Sequence, residues 1–194
     1  MRQICCLMLL LASCYSFATG AFLQKDNLFP RVKFETSEGH IVVELDRSKA
    51  AITVNNFLSY VDKKRYDGTL FHRLEPEFVL QGGGYDRDLA VVKSFPEIIN
   101  ESGNGLKNRL YTIAMARELA PHSATSQFFF NLNDNPSLDP GRTWGYTVFG
   151  NVVEGMEVFD KIKAIETTYN EKLGWDNFPK KPIVLIRVIL LPAV

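Results

Sequence analysis

The chain has 194 residues, the size of one domain or at most a very small pair. Hydrophobic residues make up 46% and charged residues 23%, which excludes a disordered, collagenous or coiled-coil chain. Lys and Arg number 22 against 22 Asp and Glu, so no bulk charge draws the chain to nucleic acid or anionic lipid, and no nucleic-acid partner is expected. The 14 Phe and 13 Gly together point to a β-rich fold.

In chain order, residues 1–20 come first. Arg2 precedes an apolar run from Ile4 to Ala12, and Ala18-Thr19-Gly20 supplies small residues at the spacing a signal peptidase accepts. The pattern predicts a secretory signal peptide and an exported, periplasmic protein. The run falls short of the ~20 residues a membrane-spanning helix needs. A buried N-terminal helix is the bland alternative. Leu11-Ala12-Ser13-Cys14 also fits lipoprotein processing, which would leave the protein anchored through Cys14. Cys5, Cys6 and Cys14 are the only cysteines. Cleavage near residue 20 would therefore leave no disulfide, no thiolate nucleophile and no Cys-ligated metal.

Residues 21–30 read as a short mobile arm, followed by one domain over 31–194. Arg31–Phe34 and His40–Leu45 flank Thr36-Ser37-Glu38-Gly39 and predict a hairpin. From Ser48 the spacing becomes helical, with Ile52, Phe57, Leu58 and Val61 on one face and Lys63-Lys64-Arg65 at the end. After the Asp67-Gly68 turn, short strands are predicted at Leu70–Leu74, Phe78–Gln81, Tyr111–Ala116, Gln127–Leu132 and Tyr146–Val152. Val158, Phe159, Ile162 and Ile165 predict a second helix over Met156–Ile165, and Ile183–Leu190 reads as a closing strand. No repeat or linker interrupts the domain. Seven or eight short strands with two helices predict a closed or sandwiched β domain.

Several chemistries find no support. His40, His72 and His122 lack metal-ligand spacing, so no metal is expected, and His72 reads as a structural hydrogen-bonding residue within a strand. No Gly-x-Ser-x-Gly marks a serine nucleophile, and Ser123 and Ser126 beside His122 are neighbours in sequence only. Gly82-Gly83-Gly84 is not followed by Gly-Lys-Ser/Thr and marks a bend or a close approach of two strands rather than a phosphate loop. Asn100-Glu101-Ser102 has the form of a glycosylation acceptor and, in a bacterium, reads as a plain surface loop.

Three segments carry more information. In Phe71–Gly84, Arg73 and Gln81 stand eight residues apart on otherwise apolar strands, an even offset that would share one face were Pro76 not between them. Thr112–Arg117 is a small-residue strand able to floor a pocket. Ser126–Asn131 sets a polar amide beside an aromatic run.

These stretches, FHRLEPEFVLQGGG (71–84), NGLKN (104–108), TIAMAR (112–117), ATSQFFFN (124–131) and GYTVFGNVVEGMEV (145–158), resemble the cyclophilin family of peptidyl-prolyl cis-trans isomerases in order and spacing. The resemblance covers essentially the whole chain after residue 31, and the Met-Ala-Arg ending is similar to the bacterial exported branch. It implies an eight-stranded antiparallel β-barrel capped by two helices, with no cofactor. Position by position it makes Arg73 the catalytic arginine. It assigns Phe78, Val79, Phe129 and Leu138 to the proline pocket, and Gln81, Ala116, Arg117 and Gln127 to the groove for substrate backbone, with Gln81 grouped beside Arg73 in catalysis. Tyr146 falls where many members have histidine, and Ser137 where they usually have an aromatic.

The implied partners are proline-containing unfolded or folding polypeptides, bound by a monomer. With Ser137 in place of the aromatic, weak cyclosporin binding is expected. A holdase using the same groove without turnover is the rival reading.

Overall fold

The computed structural model describes residues 23–193. The expected leader, its cleavage near residue 20 and the Cys14 alternative lie outside the described residues. No described helix is long and apolar enough to cross a membrane.

Ten strands and two helices follow one another: β1 (Arg31–Thr36), β2 (Gly39–Leu45), α1 (Ala51–Asp62), β3 (Thr69–Leu74), β4 (Val79–Asp86), β5 (Thr112–Met115), β6 (Phe128–Asn131), β7 (Val148–Glu154), α2 (Met156–Lys163), β8 (Thr167–Asn170), β9 (Trp175–Pro179) and β10 (Ile183–Leu190). Eight of them close an antiparallel barrel in the order β1-β10-β3-β4-β6-β5-β7-β2, while β8 and β9 form a separate two-stranded ribbon. The barrel is the one the resemblance implies, and both helices fall where the sequence predicts them. The ribbon is not predicted, because its residues are mostly exposed and carry no alternating apolar face.

Closure follows from period-two burial. In β1, Val32, Phe34 and Thr36 point inward and Thr36 pairs with Gly39 across the hairpin. The Thr36 hydroxyl accepts the N–H of Glu38 and of Gly39, both at 3.1 Å, and donates to the Gly39 carbonyl at 2.8 Å, fixing the turn and with it the register. The interior is aromatic. Phe34 meets Phe128 and Phe130 edge-on at 5.6 and 5.3 Å, and Phe57 of α1 meets Phe128 at 5.6 Å. Such geometry sets positive ring edges against negative faces. Val54, Leu58 and Val61 of α1 and Val158, Phe159 and Ile162 of α2 join the same core.

Helix α1 starts at Ala51 rather than Ser48, because the Asp46 carboxylate takes the Ser48 hydroxyl and the Lys49 N–H into a turn. Its amino end is capped from afar. Glu101 accepts the N–H groups of Ile52 (3.2 Å) and Thr53 (2.8 Å) and the Thr53 hydroxyl (2.7 Å). A carboxylate there satisfies orphan donors and complements the helix dipole. The predicted terminal cations lie just past the helix, with Lys63 as its cap.

Two loop expectations change. Asn100 is 7% exposed, and its amide donates to the carbonyls of Pro121 and Gly145, so Asn100-Glu101-Ser102 is an internal anchor and not a surface acceptor. The segment before β1 is tied down rather than free. Arg47, itself buried, donates to the carbonyls of Leu23, Gln24 and Asn27 and to the Asn55 amide oxygen.

Candidate active site

The residues singled out by sequence gather on the outer face of β3, β4, β6, β5 and β7 and on the segments that flank these strands. Alternation turns the strand residues outward. On β6, Phe128 and Phe130 enter the core while Phe129 between them faces out. On β5, Ile113 and Met115 go in and Ala114 out; on β4 and β7, Leu80 and Phe149 go in, Val79 and Val148 out. The outward set forms a second apolar cluster, against which Phe78, Leu106, Ala116, Leu138 and Tyr146 pack. One strand thus braces the barrel with two side chains and offers the third to a ligand.

This cluster floors a cavity of about 240 Å³ lined by Arg73, Phe78, Val79, Gln81, Ala116, Arg117, Phe129, Leu138 and Tyr146. Every predicted site residue is present except Gln127, which lines an adjoining recess of about 70 Å³ together with Gln81, Ala116 and Arg117. Phe129 is 4% exposed and meets the Tyr146 ring edge-on at 5.6 Å.

The polar side is a relay of side chains. Arg73 and Gln81 face each other as cross-strand partners of β3 and β4. The even offset in sequence is therefore incidental: pairing across a hairpin, not a continuous strand, brings them together. Arg73 Nη1 donates to Gln81 Oε1 at 3.2 Å, and Gln81 Nε2 donates to Gln127 Oε1 at 2.8 Å. Gln127 lies close against β4 at Gly84, where a Cβ would sit 2.7 Å from its Cδ and displace the amide. Gly83 has φ +78°, and a Cβ there would meet the Ser126 carbonyl at 2.9 Å. The triple glycine is thus the close approach that the sequence predicts.

Arg117 plays a different part from Arg73. It donates to the carbonyls of Glu118, Leu119, Trp144 and Gly145, and its guanidinium lies 4.8 Å from the centre of the Tyr146 ring. It clasps two loops together and walls the cavity, with most of its donors already engaged. Ser137 is exposed beside Leu138, and Trp144 does not fill its place: its ring packs on His122 at 5.2 Å.

Sequence reasoning missed Glu75 and Asn177 beside Arg73, and Glu118, Ser123 and Thr125 in the recess. Glu75 was detectable, since residues i and i+2 share a strand face. Asn177 was not, because it arrives from the unpredicted ribbon. His72 is structural and deeply buried. It is 1% exposed, packed between Tyr85 (4.9 Å) and Trp175 (5.9 Å), and its Nδ1 finds no hydrogen-bond partner among the described residues. Burial pushes its pKa down to about 4, and the nearby Leu70 backbone and Gln127 side chain offset this only in part.

Comparison with known proteins fits this geometry. Residues 31–189 match the family model described as cyclophilin type peptidyl-prolyl cis-trans isomerase/CLD. Peptidyl-prolyl cis-trans isomerase A of Dickeya dadantii is 49% identical over 156 residues, covering 79% of this chain and 80% of that protein. Peptidyl-prolyl cis-trans isomerase B of Escherichia coli is 47% identical over 140 residues, covering 70% and 85%. In fold, the chain is similar to the crystal structure of a cyclophilin type isomerase of Cryptosporidium parvum, with a TM-score of 0.71 at 22% identity, covering 86% of this chain and 99% of that one. The barrel, the outward apolar pocket with an arginine at its rim, and a match running from the first strand to the last place this chain in the cyclophilin family of peptidyl-prolyl cis-trans isomerases.

Proposed function

We propose that the enzyme accelerates X-Pro isomerisation in unfolded and folding exported polypeptides, with the proline ring on Phe129 and Arg73 as the donor that stabilises the twisted amide. The observation that carries the reading is the cavity lined by Arg73 together with the apolar floor of Val79 and Phe129. An X-Pro bond isomerises over tens to hundreds of seconds unaided. Its barrier of ~18–20 kcal/mol is the loss of amide resonance. No covalent bond is made or broken, so the chemistry calls for no nucleophile, metal or cofactor. Twisting returns the lone pair to the prolyl nitrogen, and an N–H aimed at that nitrogen favours the twisted form over both planar ones. Three of the five Arg73 N–H groups are held by Glu75 and Gln81, which leaves two for this purpose. A charge-assisted hydrogen bond contributes about 1.5–3 kcal/mol, or roughly one to two decades in rate. Gripping of the ring by Phe129, Phe78 and Leu138, and of the flanking backbone by Gln81 and Gln127, supplies the remainder.

The Cryptosporidium parvum isomerase has also been crystallised in the presence of the dipeptide Ala-Pro. That chemistry supports proline-containing peptides as the ligand class for this groove. The leader pattern supports a periplasmic address, with lipid anchoring through Cys14 as the alternative; the intact mass of the mature protein separates the two. A monomer with weak cyclosporin affinity completes the reading.

The test is a protease-coupled assay on an X-Pro peptide. Arg73→Ala is expected to lower kcat/KM at least tenfold while remaining folded. Arg73→Lys is expected to rescue poorly, because a point charge does not reproduce the planar fork. Near-wild-type turnover by folded Arg73→Ala would overturn the assignment, and binding of the peptide by the wild-type protein without turnover would favour a holdase.

A further inference from the structure

Glu75 is the first residue after β3, two positions beyond Arg73. Both side chains therefore leave the strand on the same face. The backbone around it is closed: the Glu75 N–H donates to the Val79 carbonyl and the Phe78 N–H to the Glu75 carbonyl, both at 2.9 Å, with Pro76 fixing φ between them. One carboxylate oxygen, Oε1, then takes three donors. Arg73 Nε reaches it at 3.1 Å, Arg73 Nη2 at 2.5 Å, and Asn177 Nδ2 at 3.2 Å.

Asn177 comes from β9 of the ribbon, more than a hundred residues downstream in sequence. Its φ is +68°, a left-handed conformation that Asn tolerates better than other side-chain-bearing residues. Nothing in the barrel requires this ribbon for closure, yet it sends a polar side chain to the carboxylate that grips the arginine.

We infer that Glu75, steadied by Asn177, is a positioning residue that sets the orientation of the Arg73 guanidinium for the reaction. The inference rests on Arg73 acting as proposed above. Alone, an arginine on a half-exposed edge samples many rotamers, and each must be frozen before its N–H can meet the prolyl nitrogen. Glu75 fixes the Nε–Nη2 edge of the guanidinium and Gln81 fixes Nη1. Held at three points, the plane of the fork is defined, with one N–H left free on each of Nη1 and Nη2. The ribbon is thereby linked to the catalytic rim through Asn177.

The test combines kinetics with double substitution. Glu75→Ala is expected to lower kcat about tenfold with KM changed less than twofold. Glu75→Gln, which keeps the acceptor and the shape, is expected to recover a substantial part and also serves if Glu75→Ala does not fold. Asn177→Ala is expected to lower kcat about threefold. None of these changes should add to another: Glu75→Ala in an Arg73→Ala background, and Asn177→Ala in a Glu75→Ala background, should each alter turnover less than twofold further. The Arg73 Nε–H resonance, assigned by its loss in Arg73→Lys, should broaden or shift to the free-arginine position in Glu75→Ala. Full additivity, a change confined to KM, or an unchanged Nε–H signal would overturn the inference. If Arg73→Ala itself retains turnover, the underlying site reading falls; if Arg73→Ala is disabled but Glu75→Gln and Glu75→Ala match wild type, only the positioning role falls.

Discussion

Stability should fall steeply on mild acidification, and His72 is the reason. Its imidazole is 1% exposed beneath the ribbon, against Tyr85 and Trp175, and burial lowers its pKa from 6.5 to about 4. The unfolded chain therefore binds a proton between pH 6.5 and 4 that the folded chain refuses. Where the unfolded state binds more protons, stability rises with pH and is lost as pH falls. Linkage with these two values gives almost no loss at pH 7.5 and about 2–3 kcal/mol at pH 4.5, at roughly 1.4 kcal/mol per pKa unit. The measurement is urea unfolding of wild type and His72→Phe at both pH values. The Phe ring keeps an aromatic packing surface and cannot titrate, and the difference between the two proteins cancels the carboxylates they share. Among these is Glu35, which Arg187 and Lys33 hold down to about 2 and whose own window lies lower, from 4.5 to 2. Wild type should lose about 2–3 kcal/mol more than the variant. Equal losses would mean that His72 titrates normally, and the account of its burial would be wrong.

Three further outcomes are expected. Phe129→Ala removes the floor of the cavity while leaving Phe128 and Phe130 in the core; it should cost about 3 kcal/mol in denaturant titration and raise KM several-fold, and an unchanged KM would remove Phe129 from the proline pocket. Glu101→Ala strips the cap from α1 and should cost about 1–2 kcal/mol, a fall in Tm of a few degrees with kcat unaffected; an unchanged Tm would show the cap to be energetically idle. Ser137→Trp should restore an aromatic wall beside Leu138 and tighten cyclosporin inhibition at least tenfold, with isomerase activity retained. Tight inhibition of the wild-type protein, unaltered by the substitution, would show that the groove edge at Ser137 has been misassigned.

What the sequence made legible divides along a physical line. The barrel strands could be read because each has one face against the core, so burial writes a period of two into the residues, as in Val32, Phe34 and Thr36. The β8–β9 ribbon could not. Thr167–Asn170 and Trp175–Pro179 bury little and are held by backbone pairing, which leaves no mark on side-chain type. The boundary of α1 was misplaced for a related reason, since its amino-terminal cap, Glu101, lies far away in sequence and local capping rules do not see it.

The site shows the same division within a few residues. Its apolar half was legible because it shares strands with the core: a run such as Phe128-Phe129-Phe130 serves both surfaces at once, and the outward member is conspicuous. Its polar half was legible only one residue at a time. Arg73 and Gln81 meet by cross-strand pairing, Gln81 meets Gln127 through the strand β4–β6 neighbourhood, and Glu75 meets Asn177 across a gap of more than a hundred residues. A linear sequence records which side chains can donate and accept, but which donor finds which acceptor is decided by strand order. In this barrel that order, with β3 beside β4 and β4 beside β6, sets three polar side chains in a row along one rim, and the ribbon brings in the acceptor's second partner. The orientation of Arg73 is therefore a property of the tertiary fold, and substitutions in the ribbon, remote from the cavity in sequence, should register in kcat through Glu75.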